Sequence, residues 1–217
     1  MRFPVVTAAV TTVTAATNVV QFTVPGVLER FGRTPAGLHG EWWRTVTSLF
    51  VQDGGIFGTV SNLLFLVLIG AVAEQVVSRP KWLLSYFGVG VVSEFVGYLW
   101  EPVGGGNSIA ICGLTGAVAV ALWQRDSRLP AWGAAATLLW CGALLGSVWI
   151  PLTFLGVVAM WIVRTQAWAV RPAAVAVVVT ALFLSALANS HGGALVGGLV
   201  VALAGVGLRS AGVGARI

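Results

Sequence analysis

The chain is a succession of long apolar runs separated by short breaks that carry charges, proline or glycine. The runs cover residues 4–24, 57–77, 82–100, 107–123, 131–147, 149–163, 172–188 and 190–208. A membrane-spanning helix needs about 20 apolar residues, with a range of about 17–25. Only 9% of the residues are charged, whereas a soluble domain has about 25%. The sequence therefore predicts an all-α polytopic membrane protein with a single membrane domain over residues 1–217.

The positions of the Lys and Arg residues predict how the chain crosses the membrane. If Met1 lies inside and every run crosses once, only Arg30, Arg33 and Arg44 of the 12 Lys and Arg residues lie outside. Because cytoplasmic loops are enriched in Lys and Arg, this distribution favours eight transmembrane helices and a cytoplasmic N-terminus. The alternative is six transmembrane helices, with part of residues 131–163 re-entrant.

This orientation assigns the remaining parts of the chain. Residues 25–56 form an outer loop, and residues 129–188 form an extended region. The first run resembles the start of a signal peptide, but it is long and lacks a clear small-residue cleavage site, so we expect it to be retained. The net charge of +5 reflects orientation in the lipid bilayer and does not indicate a nucleic-acid partner.

Three polar residues are expected at a common depth near the outer ends of three helices. A histidine within a membrane helix is costly and is a functional hypothesis by default, and His191 opens the last apolar run. The second, fourth and last runs all lead from outside to inside in the predicted topology. Ser108 therefore lies near the outer end of its run, and Asn62 lies about 7 Å below the start of its own at helical rise.

These three side chains suit acyl transfer. A serine hydroxyl becomes a nucleophile when a base removes its proton, and a neutral imidazole can be that base. The amide of Asn62 can donate to an oxyanion. No carboxylate stands beside His191 in the sequence, so we predict a Ser108–His191 dyad. Alternatively, Ser108 is bonded to its own helix and Asn62 joins two helices.

Other chemistry-bearing residues are weaker candidates. Thr115 lies about 10 Å deeper than Ser108 at helical rise. Cys112 and Cys141 lie within apolar runs at a spacing that matches neither a disulfide framework nor a metal site, so no metal ligand set is predicted. Glu94 lies within a span and must be paired or neutral, and the sequence does not reveal its partner.

Small residues are expected to let the serine and histidine helices approach closely. Gly113 narrows the serine helix, and four small residues are expected to face it, namely Gly193, Ala194, Gly197 and Gly198. Close backbone approach is typical of small residues at helix interfaces in membranes. Gly106, just before the serine helix, is expected to let the outer loop come near the nucleophile.

Several segments resemble the rhomboid intramembrane serine proteases. Residues 41–50 read EWWRTVTSLF and resemble the start of the family's outer loop, and residues 62–74 resemble its second helix. Residues 106–117 read GNSIAICGLTGA, which is similar, position by position, to the family's GASGAIFGLLGA around the nucleophile. The segment of His191, with Gly193 and Gly198, resembles the family's histidine helix.

The resemblance covers residues 41–123 and 188–203 and implies a rhomboid-like helical bundle. It implies that Ser108 is the nucleophile, His191 the general base and Asn62 an oxyanion donor. The expected activity is that of a serine endopeptidase that cleaves transmembrane helices of other membrane proteins near the outer face, without a cofactor. The expected location is the plasma membrane of a bacterium.

The sequence departs from the family pattern at three positions. The family usually has a histidine four residues before the asparagine, where this chain has Gly58, and a glycine after the nucleophile, where it has Ile109. Ala194 also replaces a usual glycine. These departures leave a second interpretation open, a catalytically inactive rhomboid-like protein that binds membrane helices. A transporter would need more polar residues at the bilayer midplane.

Overall fold

The computed structural model describes residues 2–164, 168 and 170–213. Within this part of the chain the regular elements are helical, as predicted. The helices are α1 Val5–Thr23, α2 Val27–Phe31, α3 Arg44–Thr47, α4 Gly55–Val76, α5 Arg79–Leu83, α6 Val89–Gly97, α7 Ser108–Trp123, α8 Gly133–Val148, α9 Thr153–Val163, α10 Val170–Ala186 and α11 Ser190–Val213. Each predicted apolar run coincides with one of these helices or, for the third run, with two.

The helix α7 is the centre of the bundle. Every residue from Ile109 to Leu122 is buried, as expected for a helix that is apolar on all sides. The helices α4, α6, α10 and α11 pack around it. The two end residues of α7 are more accessible: Ser108 is partly buried and Trp123, at the other end, is exposed.

The first turn of α1 is fastened to the far end of α4. The Glu74 carboxylate accepts hydrogen bonds from the backbone N–H groups of Val6 and Thr7 and from the Thr7 hydroxyl, at 2.9–3.0 Å. The side chain of Gln75 accepts a hydrogen bond from the backbone N–H of Arg2 and donates one to the carbonyl oxygen of the same residue. A carboxylate at this position satisfies first-turn N–H groups that have no partner within the helix. The contact holds α1 against α4 at the end where the chain begins.

Residues 25–56, the predicted outer loop, are folded on themselves by one arginine. Besides α2 and α3, the loop contains a 3₁₀ turn over Pro35–His39. The buried side chain of Arg44 donates to the carbonyl oxygens of Glu29 and Gly32, both at 2.8 Å, and pairs with Glu41. These bonds join the start of the loop to the segment that leads into α4.

The helices α8 and α9 form a hairpin within the extended region. Their backbones are in contact, since a Cβ at Gly142 would lie 2.6 Å from the Cα of Gly156. On its other face α8 packs against α4, where the ring centroids of Phe65 and Trp140 are 4.7 Å apart. The helix α10 then runs beside α7, α8 and α11. The extended region thus adds a hairpin to the α4 side of the bundle.

The third predicted run, residues 82–100, is not one continuous α-helix. It consists of the end of α5, a π-helical turn over Leu84–Gly88 and α6, which ends at Gly97. Beside this turn α7 passes so closely that a Cβ at Gly113 would overlap the carbonyl oxygen of Ser85. A π turn widens a helix locally and is rare, and the apolar pattern contains no sign of it.

Candidate active site

Ser108 and His191 meet at one end of the bundle. Ser108 is the first residue of α7, and His191 is the second residue of α11. The Oγ of Ser108 lies 2.9 Å from the Nε2 of His191, which is within the range for a nucleophile and its base. Both side chains are partly buried. Two residues that are 83 positions apart in the chain are thus in direct contact.

Asn62 of α4 lies near Ser108 as well. Its Nδ2 donates a hydrogen bond to the Oε1 of Gln52 at 2.8 Å. A Cβ at Gly106 would lie 3.5 Å from the Oγ of Ser108 and 3.6 Å from the Nδ2 of Asn62. The hydroxyl and the amide therefore flank one small space, which the absence of a side chain at Gly106 keeps open.

Gln52 links Asn62 to the rest of the protein through carboxamide groups. Its Nε2 donates to the Oδ1 of Asn107 at 2.9 Å. Its backbone exchanges two hydrogen bonds with the side chain of Gln21 on α1, at 2.7 and 2.8 Å. Because Gln52 is only 1% exposed, these bonds are shielded from water. We call Gln21, Gln52, Asn62 and Asn107 the carboxamide relay, and it fixes the amide of Asn62 near Ser108.

Asn189 lies on the far side of the imidazole, immediately before α11. Its Oδ1 lies 2.8 Å from the Nδ1 of His191 and 3.0 Å from the backbone N of the same residue. The group in contact with Nδ1 is therefore a carboxamide.

Sequence reasoning did not assign a role to Gln21, Gln52 or Asn189. Gln21 could have been noticed, because it is a polar side chain within an apolar run and such a side chain needs a hydrogen-bonding partner. Gln52 and Asn189 lie in loops, where polar residues are expected and attract no attention. Their roles depend on which helix ends the fold brings beside them.

Glu94, whose partner the sequence did not reveal, is paired with Arg33 of the outer loop. The two side chains are 1% and 3% exposed, respectively. The Nη2 of Arg33 also lies 4.0 Å from the Oε2 of Glu101, and Glu101 accepts a hydrogen bond from Ser190. These contacts join the outer loop, α6 and the start of the histidine helix.

The glycines of α11 face two different neighbours. A Cβ at Gly198 would overlap the backbone of Gly113 on α7, whereas a Cβ at Gly197 would lie 3.0 Å from Val89 on α6. A Cβ at Gly193 would lie 3.8 Å from the ring of Trp100, in the loop after α6, and so does not face the serine helix. The expectation that Gly193 and Gly197 face α7 is therefore wrong. Successive helix positions are rotated by about 100°, and here Gly197 and Gly198 point to different neighbours.

The other residues considered from sequence lie away from this contact or are held elsewhere. The Thr115 hydroxyl donates to the carbonyl oxygen of Ile111 at 2.8 Å, which is the bond to its own helix that threonine often makes. Cys112 and Cys141 are buried free thiols. Ile109 is 5% exposed and packs in the hydrophobic core.

Comparison with known proteins identifies relatives of the chain. The family model of the Rhomboid domain matches residues 39–210. A Bacillus subtilis (strain 168) protein, named "Putative rhomboid protease YdcA", is 32% identical over 81 residues. That match covers 36% of this chain and 40% of the relative, so it spans well under half of the relative's length. No solved structure matches the chain significantly.

Proposed function

Because this chain belongs to the rhomboid family, we propose that it is an intramembrane serine endopeptidase. Members of the family are membrane-integral, are typically serine proteases and act on membrane-protein substrates. The observation that carries the proposal is the 2.9 Å contact between the Oγ of Ser108 and the Nε2 of His191. The substrates are transmembrane helices of other membrane proteins, which are cut near the outer face without a cofactor.

The reaction proceeds through an acyl-enzyme. The Nε2 of His191 removes the hydroxyl proton of Ser108 as Oγ attacks the carbonyl carbon of the scissile peptide bond. The imidazolium then gives that proton to the leaving amine, so that the C–N bond breaks and an ester remains on Ser108. A water molecule, deprotonated by His191, hydrolyses the ester, releases the carboxylic acid product and restores the serine hydroxyl.

Asn62 and the start of α7 stabilise the oxyanion. One N–H of the Asn62 carboxamide is bound to Gln52, which leaves the second N–H for the substrate. The first-turn N–H groups of α7 have no acceptors within the helix and carry the positive end of its dipole. Gly58 supplies no side-chain donor, and the loss of one such donor costs about 100- to 1000-fold in rate. We therefore expect a slow enzyme.

For the topology we propose eight crossings with a cytoplasmic N-terminus. With 19 and 22 residues, α1 and α4 have the length and hydropathy of membrane spans, and the shorter apolar helices have 10–17 residues. The hairpin of α8 and α9 supplies two of the crossings. This topology puts the outer loop, Ser108 and His191 on the outer side of a bacterial plasma membrane, with residues 1–217 as one domain.

The proposal is tested by cleavage of a transmembrane helix that has small residues near its outer end, reconstituted with the protein in lipid vesicles. Wild type should cut this substrate, and Ser108→Ala and His191→Ala should not. Thr115→Ala is the matched control, because this hydroxyl lies on the same helix but is bonded to its own backbone. Cleavage by both Ser108→Ala and His191→Ala would overturn the assignment.

A catalytically inactive protein that binds membrane helices is the second candidate, favoured by Gly58 in place of the family's histidine. A fluorophosphonate probe separates the two, because it bonds covalently only to an activated serine. Labelling of wild type, but not of Ser108→Ala or His191→Ala, supports the endopeptidase. A wild type that binds the substrate helix but neither reacts with the probe nor cuts identifies the inactive protein.

A further inference from the structure

Asn189 occupies the turn between α10 and α11, where the backbone fixes its position. Ala188 before it adopts a left-handed conformation, with φ of 54°. The backbone N–H of Asn189 donates to the carbonyl oxygen of Leu184 at 3.0 Å, in the kind of turn that commonly ends a helix. Asn189 directly precedes Ser190, the first residue of α11. It therefore holds the N-cap position, which asparagine favours.

Hydrogen-bond chemistry determines which atom of Asn189 faces His191. One carboxamide atom lies 3.0 Å from the backbone N of His191 and 2.8 Å from its Nδ1. A backbone N–H can only donate, so this atom must be the carbonyl oxygen, Oδ1. The reverse orientation would set the NH₂ group against the backbone N–H, with two donors facing each other.

The same oxygen determines where the imidazole carries its proton. Because Oδ1 can only accept, Nδ1 must be the protonated nitrogen of the neutral His191 ring. Nε2 then carries the lone pair, and the Ser108 hydroxyl, 2.9 Å away, donates to it. A general base needs this tautomer, since a protonated Nε2 could not accept the serine proton.

We propose that Asn189 is a positioning residue that selects the catalytic tautomer of His191. The inference deepens the proposed endopeptidase function and rests on it for its kinetic consequence. Asn189 fixes the ring orientation and tautomer, as the aspartate of a Ser–His–Asp triad does, but it does so with a neutral dipole.

Helix capping alone does not account for this arrangement. A cap requires only the bond to the backbone N–H of His191, and the second lone pair of Oδ1 would then be left to water. Instead, Nδ1 of the imidazole donates a hydrogen bond to that lone pair. Glu101, Asp53 and Arg33 of the surrounding loops are the charged groups that act on the ring, whereas the direct contact of Nδ1 is with the neutral carboxamide.

The first test needs no enzymatic activity. The protein has 2 histidines, so His39→Gln leaves His191 as the one ring seen by NMR after ¹⁵N-histidine labelling. At a pH where the ring is neutral, the expected spectrum shows Nδ1 protonated and Nε2 bare. Asn189→Leu should lose this preference, and Asn189→Asp, which keeps an acceptor oxygen, should retain it. A protonated Nε2 in the parent, or an unchanged tautomer in Asn189→Leu, overturns the proposal.

The vesicle cleavage assay gives the second readout. Asn189→Leu should lower kcat by about 10- to 100-fold, less than the ~10⁴-fold loss seen when a triad imidazole is held in the wrong tautomer. KM should change little, and Asn189→Asp should recover most of the activity. Asn189→Gly, which keeps a tolerated cap residue without a side-chain oxygen, replaces Asn189→Leu if that variant does not fold. Full kcat in a variant without the oxygen contradicts the proposal.

The two readouts separate this inference from the proposed function. If wild type cuts no substrate but its His191 tautomer depends on Asn189, the endopeptidase function fails and the positioning role stands. If wild type cuts and the tautomer is the same in Asn189→Leu, the positioning role fails and the endopeptidase function stands.

Discussion

Gly198 of α11 lies against the backbone of Gly113 on α7, with no room between the two for a side chain at residue 198. The contact lies about two helical turns below His191, at 3.6 residues per turn. It brings the axes of the two helices close together, and this closeness lets the Oγ of Ser108 and the Nε2 of His191 meet at 2.9 Å. Backbone packing in the bundle thus sets the geometry of the proposed catalytic pair.

Gly198→Ala should destabilise the protein by about 1–3 kcal/mol, because an overpacked methyl group must push α7 and α11 apart. Reaction of Ser108 with a fluorophosphonate should fall with it. Unfolding in detergent measures the first effect and probe labelling the second. Gly58→Ala is the matched control for stability, since its Cβ meets no atom within 4 Å. Equal stability of Gly198→Ala and wild type would contradict the packing argument.

Gly58→His should raise the cleavage rate, by up to about 100-fold, by restoring a donor to the oxyanion. Gly58 precedes Asn62 by one helical turn, so a side chain there lies on the same face of α4, and the space beside it is open. The measurement is kcat in the vesicle assay, with Gly58→Ala as the control for helix stiffening. A Gly58→His rate no higher than that of Gly58→Ala would show that no donor is missing at this position.

Gln52→Leu should lower kcat and leave KM nearly unchanged, because the amide of Asn62 loses the acceptor that orients it. The fall should not exceed the roughly 100- to 1000-fold cost of a lost oxyanion donor. Gln75→Leu is the matched control. Gln75 exchanges two hydrogen bonds with the backbone of Arg2, but it lies at the end of α4 that is remote from Asn62. Equal kcat in the two variants would argue against a role for the carboxamide relay in catalysis.

Glu94→Leu should destabilise the protein by about 3–5 kcal/mol, because it removes the buried carboxylate that pairs with the guanidinium of Arg33, whose other carboxylate neighbour, Glu101, lies 4.0 Å away. The double variant Arg33→Met/Glu94→Leu should recover most of this loss, since replacing a whole buried ion pair by apolar residues is often neutral. Chemical unfolding of both variants in detergent measures the difference. If the double variant is as unstable as Glu94→Leu, an unpaired charge at Arg33 is not the cause of the lost stability.

The helices could be predicted because hydropathy and helix length are local properties of the chain. Every predicted apolar run lies within a few residues of the helices observed. Crossing parity predicted that Ser108, His191 and Asn62 share one end of the bundle, because the direction of a membrane helix follows from the number of crossings before it. No contact between distant residues was needed for either inference.

The remaining features depend on tertiary packing that the pattern does not encode. Arg33 pairs with Glu94 across 61 residues, and nothing local marks the two as partners. Gly197 and Gly198 are equivalent in sequence, and the rotation of α11 decides which of them meets α7. Asn189 has the form of an ordinary helix cap, so its second contact is visible only once the ring of His191 is placed.

The carboxamide relay has a consequence for the response of the protein to acid and alkali. Gln21, Gln52, Asn62 and Asn107 carry no group that gains or loses a proton between mild acid and mild base. Their dipoles keep the same direction and strength whatever the buffer. A change of pH therefore alters the charge of His191 but not that of the carboxamide relay. In the folded protein, the relay presents the same hydrogen-bonding groups to a substrate at every pH.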